Sequence, residues 1–410
     1  MRILLLSDRY PPYYEGGYEL NCQQIAEGLR DRGHRVRVLT SVYGVGRPRR
    51  DGHVWRHLLL ARSSTTYLPG RLDRLVAFFR SRANYRTTRA LLARLRPDLV
   101  FVGQLNDTSV TPVLAAQDAG VRTVFRLGSH WLALRRQEHL AQPSRLRRLY
   151  WSWEHGLRTP AQVQVDAAVV VSQSLLEAYA AAGFDMGRAA VIPSGVPASW
   201  IAARVPQHPG PGHTPTRLLY AGRLEAAKGT DVVLAAVEEL VRGGVRVTLD
   251  LAGRGVPEYT RELERRVRRA GLEGCVRFLG FVEREKLLGS YGAYHILLFA
   301  TPLFEGLPMT VVEAMSQGLV VVASRVGGAA ELIDSGRNGL LVRPADPGDM
   351  ARAVRRLVGD PEWAQALARE ATQTVHRRHT FERMLDQYEE YLEAWGTPAS
   401  AEPTRLVGWT

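Results

Sequence analysis

The sequence predicts an α/β protein built from two doubly wound domains. Short apolar runs of strand length alternate with amphipathic helical stretches along the whole chain. A Pro- and Gly-rich stretch at 193–215, with PQHPGPGHTP at its centre, interrupts that alternation near the middle. At 410 residues and 45% apolar content, the chain exceeds one ordinary core and gives each half enough to bury its own. The expected organisation is an N-terminal domain over 1–195, a linker over 196–216, a second domain over 217–379, and a final helix with a tail over 380–410.

Each element rests on a local pattern. Arg2 to Ser7 is an apolar run of buried-strand type, Tyr18 to Asp31 has helical spacing stopped by Gly33, and Val36 to Thr40 is the next strand, together a βαβ unit. Further strands are expected at Leu99 to Val102, Arg122 to Leu127 and Ala167 to Val171. The second series places strands near Leu218, Val247, Val276, Ile296, Val320 and Leu340, and Phe381 to Trp395 reads as the last helix. The final dozen residues are expected to be loosely held.

Composition narrows the function classes. No apolar run approaches the roughly 18–20 residues that span a bilayer, and the opening MRILLLSDRYPP is too short in apolar residues for a signal peptide, so a cytoplasmic location is expected. Cys22 and Cys275 are the only cysteines and fall in different halves, against a disulfide framework or a cysteine metal site. The net charge of +13 belongs entirely to the first half: residues 1–200 hold 28 basic against 15 acidic residues, and 201–410 hold 26 against 26. Residues 46–96 carry thirteen arginines against Asp51 and Asp73, and include RLDRLVAFFRSRANYRTTRALLARLR, read as a helix whose apolar stripe is flanked by cations. Such a face suits anionic lipid headgroups or an anionic acceptor; a solvated helix in an arginine-rich chain is the plain alternative. Nucleic acid is not expected, because no zinc, helix-turn-helix or RNA-binding signature accompanies the charge.

Two segments carry chemistry. In FEGLPMTVVEAM (304–315), after the apolar run HILLFA, Glu305 sits in a loop, Pro308 suits a first helical position, and the N–H groups of Met309 and Thr310 face the loop. Glu313 follows eight positions after Glu305, where its carboxylate could accept from vicinal ribose hydroxyls. The spacing alone also occurs at Glu19 and Glu27, so ordinary helix-start acids are the competing reading. In RLLYAGRLEAAKGTDVVLAA (217–236), Arg223 and Lys228 share the loop between a strand and a helix capped near Thr230 or Asp231, a pair of cations suited to a diphosphate. Lys228 and Lys286 are the only lysines. In the first half, Gly16 and Gly17 end the loop after the first strand, where the backbone can approach a ligand closely or simply turn. His130 follows RTVFRLG at the same edge, either a ligand contact or a structural histidine.

Taken in order, GRLEAAKG, FLGFVE, FEGLPMTVVEAM and SRVGGAAELIDSGRNGLLV resemble the retaining family-4 glycosyltransferases of the GT-B fold, the glycosyl transferases of group 1. The resemblance is dense from Arg217 to Val342 and looser before, where GGYEL and VIPSGV also fit. It implies two Rossmann-like domains facing a cleft that closes on binding, with the C-terminal helix crossing back to the first. It also implies transfer of a sugar from a nucleoside-diphosphate donor to a hydroxyl acceptor with retention. In that pattern Arg223 and Lys228 bind the diphosphate, and Glu305, Gly306, Leu307 and Pro308 contact the transferred sugar. Glu313 holds the ribose, the base stacks near the backbone at Val282, and Gly16, Gly17 and His130 touch the donor. The acceptor is a small molecule, a glycan or a lipid-linked molecule, anionic ones included. The chain departs from the pattern at VIPSGVP, where Ser194 and Pro197 stand in place of Asn and Asp.

No cofactor or metal is expected. His139, His155, His376 and His379 lack metal-ligand spacing and no Asp-x-Asp triplet occurs, so charge on the leaving diphosphate falls to Arg223, Lys228 and the helix N-terminus. A nucleotide-sugar epimerase, a glycan phosphorylase and a catalytically silent nucleotide-sugar binder share these signals. A nicotinamide dehydrogenase is unsupported, since no G-x-G-x-x-G follows the first strand.

Overall fold

A computed structural model of the chain describes residues 1–61, 71–142, 144, 158–209 and 214–396. Part of the arginine-rich segment (62–70), His155 and the tail from 397 lie outside the described residues. The chain divides into two compact units, Met1–Ile192 with Leu385–Thr410, and Pro193–Met384.

The first unit is built on an eight-stranded sheet ordered β3-β4-β2-β1-β5-β6-β7-β8. Its strands are β1 (Arg2–Ser7), β2 (Arg35–Ser41), β3 (Arg49–Asp51), β4 (Val54–Leu58), β5 (Leu99–Val102), β6 (Thr123–Leu127), β7 (Ala168–Val170) and β8 (Ala189–Val191). All pairings are parallel except β3 with β4. Ile3 to Leu6 and Leu99 to Val102 are each at most 1% exposed, as expected for central parallel strands covered on both faces. Helices α1 (Gly17–Asp31), α2 (Arg71–Leu95), α3 (Thr111–Gln117), α4 (Trp131–Leu140) and α5 (Gln173–Ala181) connect them.

The second unit has a six-stranded, all-parallel sheet ordered β11-β10-β9-β12-β13-β14. These are β9 (Thr216–Ala221), β10 (Val247–Ala252), β11 (Val276–Gly280), β12 (Ile296–Phe299), β13 (Val320–Ser324) and β14 (Leu340–Val342). Helices α6 (Thr230–Arg242), α7 (Pro257–Arg269), α8 (Arg284–Ser290), α9 (Met309–Ser316), α10 (Gly327–Leu332), α11 (Pro347–Gly359) and α12 (Pro361–Arg378) complete it. Helix α13 (Phe381–Gly396) starts in the second unit and groups with the first from Leu385 onward.

In each sheet the strand order reverses once beside the first strand of that unit: between β1 and β5, and between β9 and β12. Ligands of open α/β sheets bind beyond the carboxyl ends of the strands at such reversals. The loops after β9 and β12 are those that carry Arg223, Lys228 and Glu305.

Several expectations are corrected. Helix α6 is capped by Gly229, at φ +71°, and not by Thr230 or Asp231, which are already helical. Pro308 is the N-cap of α9, since its ψ of 104° is extended, and Met309 is the first helical residue. The Pro-rich stretch is more than a bare tether. Val196 bridges Thr380, a 3-10 turn forms at Ala198–Trp200, and Val196, Trp200 and Ile201 pack into the core of the second unit. In α2, Ala77, Ser81, Asn84 and Thr88 are buried together with Leu91 and Leu92, while the apolar Leu75 and Phe79 are exposed. Asn84 is buried there because its amide bonds the backbone of Leu59 on both sides, at 2.7 Å each, and the carbonyl of Thr108 at 3.0 Å. Among the described residues, no helix is long and apolar enough to cross a membrane.

Candidate active site

The loop after β9 is drawn onto the end of β12 by contacts that leave no room for a side chain. A Cβ on Gly229 would sit 2.1 Å from the carbonyl oxygen of Ala300, and Thr301 Oγ1 donates to the carbonyl of Ala227 at 3.1 Å. With the loop held there, Lys228 Nζ forms an ion pair with Glu305 Oε1, both side chains about a quarter exposed. The 305–308 loop is buttressed from the other side. Gly328 N–H donates to the carbonyl of Glu305 at 2.8 Å, and a Cβ on Gly328 would meet the carbonyl oxygen of Gly306 at 2.0 Å. The glycines of SRVGGAAEL thus permit close backbone approach beneath the acidic loop.

At the start of α9 the carbonyl of Pro308 accepts from the N–H groups of Val311 and Val312, at 3.0 and 3.3 Å. The N–H groups of Met309 and Thr310 lead the helix, beyond any intrahelical acceptor, beside Glu305. The Lys228–Glu305 pair thus sits on the loop that leads directly into the start of α9, and a cation and a helix N-terminus each favour an anion.

Glu313 lies one turn further in and is 6% exposed. It has a partner that the sequence reading did not identify. Arg284, at the start of α8, places Nε and Nη2 at 2.8 and 2.6 Å from Glu313 Oε1, and its guanidinium lies 4.9 Å from the ring centre of Trp200. Trp200 is fixed in turn, because its carbonyl accepts from the side chain of Gln317 and the next turn bonds Ser316 through Ala202 N–H at 2.9 Å. Burial pushes the Glu313 carboxyl above the ordinary glutamate range, and Arg284 pulls it back down. Both bonds from Arg284 go to Oε1.

The remaining expected residues are less tightly grouped. Arg223 is 68% exposed and pairs at 2.8 Å with Glu225, its neighbour in the loop, and not with Glu305 or Glu313. Val282 packs against the core between β11 and α8 and is half-buried. Gly16, Gly17 and His130 belong to the first unit. Gly16 is the N-cap of α1 in extended conformation, and a Cβ on Gly17 would meet nothing within 4 Å, so the unliganded backbone does not itself demand either glycine. His130 is the N-cap of α4, and burial lowers its pKa below the ordinary imidazole value.

Among the described residues one trio could share a metal ion, His34, Glu389 and Glu393 in the first unit. His34 Nε2 already meets Glu389 Oε1 at 2.8 Å, and Arg32 meets Glu389 Oε2 at 2.7 Å, so the arrangement is that of an ion-pair network.

A two-unit parallel α/β fold with a cation, a carboxylate and a helix N-terminus at the second switch point is the arrangement of a nucleotide-dependent glycosyltransferase. Residues 215–360 match the family model described as glycosyl transferases group 1, and residues 16–195 match that of the glycosyl transferase 4-like domain. The chain belongs to the group 1 glycosyltransferases. It is 26% identical over 407 residues to glycogen synthase of Mycobacterium tuberculosis, covering 92% of this chain and 90% of that one. It is 37% identical over 152 residues to D-inositol 3-phosphate glycosyltransferase 2 of Catenulispora acidiphila, 35% of each chain. The fold matches Anabaena HepE, solved with UDP and glucose, at a TM-score of 0.70 and 22% identity, covering 96% of this chain and 100% of that one. This is the GT-B architecture of two Rossmann-like domains.

Proposed function

We propose that the protein moves a sugar from a nucleoside-diphosphate donor to a hydroxyl acceptor, with retention and without a metal. The observation that carries this is the ion pair of Lys228 with Glu305, two residues 77 apart in sequence brought together at the switch point of the second sheet. In the absence of donor the two charges neutralise each other. When a diphosphate arrives, Lys228 exchanges the carboxylate for phosphate oxygens, and Glu305 is released toward the sugar. Arg223, exposed and tethered only within its own loop, turns to the same phosphates. The N–H groups of Met309 and Thr310 bind the distal phosphate, Gly306, Leu307 and Pro308 line the sugar, Glu313 accepts from the ribose, and the backbone at Val282 takes the base. Contacts of Gly16, Gly17 and His130 with the donor are proposed from the family pattern and from their position at the carboxyl ends of β1 and β6.

In the reaction the bond from the anomeric carbon to the phosphate oxygen breaks. The bond to the acceptor oxygen forms on the same face, and the acceptor proton passes to a phosphate oxygen. Charge stabilisation by fixed donors of this kind supplies about 10²–10³ in rate per donor removed. Lys228→Ala and Glu305→Gln are therefore expected to lower kcat by about that factor while circular dichroism and Tm of the protein stay near the parent's. Full activity in both variants would remove the site assignment. Anomeric configuration of the product, read by proton NMR, and activity in excess EDTA test retention and metal independence.

We also propose a peripheral contact with an anionic, cytoplasmic-facing membrane surface through the outer side of α2. Leu75 and Phe79 are 40% and 62% exposed there, with Arg82, Arg86 and Arg89 exposed beside them. Phe79→Glu is expected to release the protein from phosphatidylserine vesicles in a sedimentation assay and leave turnover on a soluble acceptor unchanged. Equal sedimentation of parent and variant would dismiss this contact.

A further inference from the structure

The switch point of the first sheet, between β1 and β5, holds a cavity of about 70 Å³ lined by Ser7, Asp8, Arg9, Tyr18, Glu19, Gln104, Asn106 and Asp107. Its charge opposes that of its surroundings. In the half of the chain that carries the whole positive excess, the lining has three carboxylates and one guanidinium. That guanidinium is already compensated, with Arg9 Nη1 2.7 Å from Asp107 and Nη2 3.2 Å from Glu15, and it lies over the ring of Tyr43 at 4.7 Å. The arginine of β4 that approaches this loop, Arg56, is spent on Asp51 at 2.9 Å and on the carbonyls of Tyr10 and Pro11 at 3.0 and 2.6 Å. Arg135 reaches the carbonyl of Asn106 at 3.2 Å and leans toward Glu138 at 3.8 Å, outside the lining.

The polar groups left over match a particular chemistry. Arg9 is 9% exposed and its Nε is buried with no hydrogen-bond partner among the described residues, so it calls for an oxygen acceptor. The side-chain amides of Gln104 and Asn106 likewise have no partner among the described residues. Glu19, where burial raises the carboxyl pKa, offers acceptor oxygens. Asp8 is committed to structure, taking the N–H groups of Asp107 and Thr108 at 2.8 and 2.9 Å and the hydroxyl of Thr108 at 2.6 Å. A hydroxyl group both donates and accepts and so satisfies Arg9 Nε and Glu19 together. A phosphate would satisfy Arg9 and be repelled by Glu19 and Asp107, and an ammonium would leave Arg9 Nε unpaired.

We infer that this cavity receives an uncharged hydroxyl-bearing group of the acceptor, a sugar or cyclitol hydroxyl or hydroxymethyl, and rejects a phosphate ester at that position. One water-sized group needs about 10–15 Å³ of such volume, so the cavity has room for a hydroxyl or hydroxymethyl group. The inference rests on the transferase reading and names its acceptor. It separates Arg82, Arg86 and Arg89 of α2, which are exposed, from acceptor recognition.

The test uses the full chain and saturation-transfer NMR with methyl α-glucoside, methyl α-mannoside and myo-inositol, each beside its monophosphate. The parent is expected to show transfer to at least one neutral member and at least tenfold less to its phosphate. Glu19→Lys is expected to reverse that order, whereas a general loss of structure lowers both signals alike. Asn106→Ala, which removes an unbonded side chain, is expected to weaken the neutral ligand severalfold with Tm unchanged. A parent that prefers the phosphates, binds neither set, or keeps its preference in Glu19→Lys overturns the inference. Donor hydrolysis in the same preparations reports on the transferase reading separately, since it needs no acceptor.

Discussion

Arg284 illustrates how one side chain sets the state of another. Glu313 is buried deeply enough that burial alone would favour its neutral form, and the charge-assisted bonds from Arg284 are the opposing influence. In Arg284→Gln the carboxyl pKa rises further, so the ribose faces a protonated acid at neutral pH. Donor Kd is expected to rise about tenfold, equivalent to ~1.4 kcal/mol, and to recover as pH increases. Stability follows the opposite sign. A carboxyl whose folded pKa is raised binds protons preferentially in the folded state, so the variant gains stability relative to the parent as pH falls and loses it as pH rises through the folded pKa. Isothermal titration of a nucleoside diphosphate at pH 6, 7 and 8 checks the first effect, and Tm against pH the second. A flat donor affinity across that range would mean that Arg284 does not govern Glu313. Glu305, Lys228 and Glu313 were legible in the sequence because strand, loop and helix signals surround them. Arg284 and Trp200 were not, since a partnership across 29 and 84 positions exists only once α8 and the linker turn dock beside α9.

At the scale of elements the same distinction separates what packs both faces from what packs one. The central strands were legible because parallel strands covered on both sides are unbroken apolar runs. The β3–β4 hairpin at the sheet edge escaped notice, although Asp51-Gly52 with Gly52 at φ +59° is a recognised tight-turn signal. RRD carries no apolar alternation to draw attention to it. The cation-flanked apolar stripe of α2 was legible as a pattern, whereas the burial of Asn84 on the opposite side was not, because it rests on backbone bonds to Leu59 and Thr108. Close packing of loop on loop gives a sharper test. Gly328 has no left-handed φ, so Gly328→Ala adds only the Cβ that meets Gly306 at 2.0 Å. The 305–308 loop must shift, and a displacement near 1 Å at a reacting centre costs about 10²-fold in rate. Gly274→Ala, where a Cβ meets nothing within 4 Å, is the matched control, expected to leave kcat unchanged and to be neutral or stabilising by about 0.4–1 kcal/mol. Steady-state kinetics and Tm on the two variants decide it, and equal activity would show that the loop does not need its buttress.

Over the whole molecule, the chain returns at its far end to finish the unit it began with. Tyr388 and Leu392 of α13 are fully buried, Tyr388 meets Phe101 of β5 edge-on with ring centres 5.9 Å apart, and the hydroxyl of Tyr391 accepts from Ala168 N–H at 3.0 Å. Outside that apolar strip, Arg32 and His34 pair with Glu389 at 2.7 and 2.8 Å. Helix α12, immediately before, puts Leu367 into the core of the second unit instead. Two consecutive helices thus stabilise different units, and truncation of one leucine in each separates them. Leu392→Ala and Leu367→Ala should each cost about 2–5 kcal/mol, the usual range for a buried leucine. The first is expected to speed hydrogen exchange in peptides spanning β5 and β6 and leave β12 protected; the second is expected to do the reverse. If Leu392→Ala loosened β12 as much as β5, the two units would unfold as one, and the division of the chain at residues 192 and 385 would carry no energetic meaning.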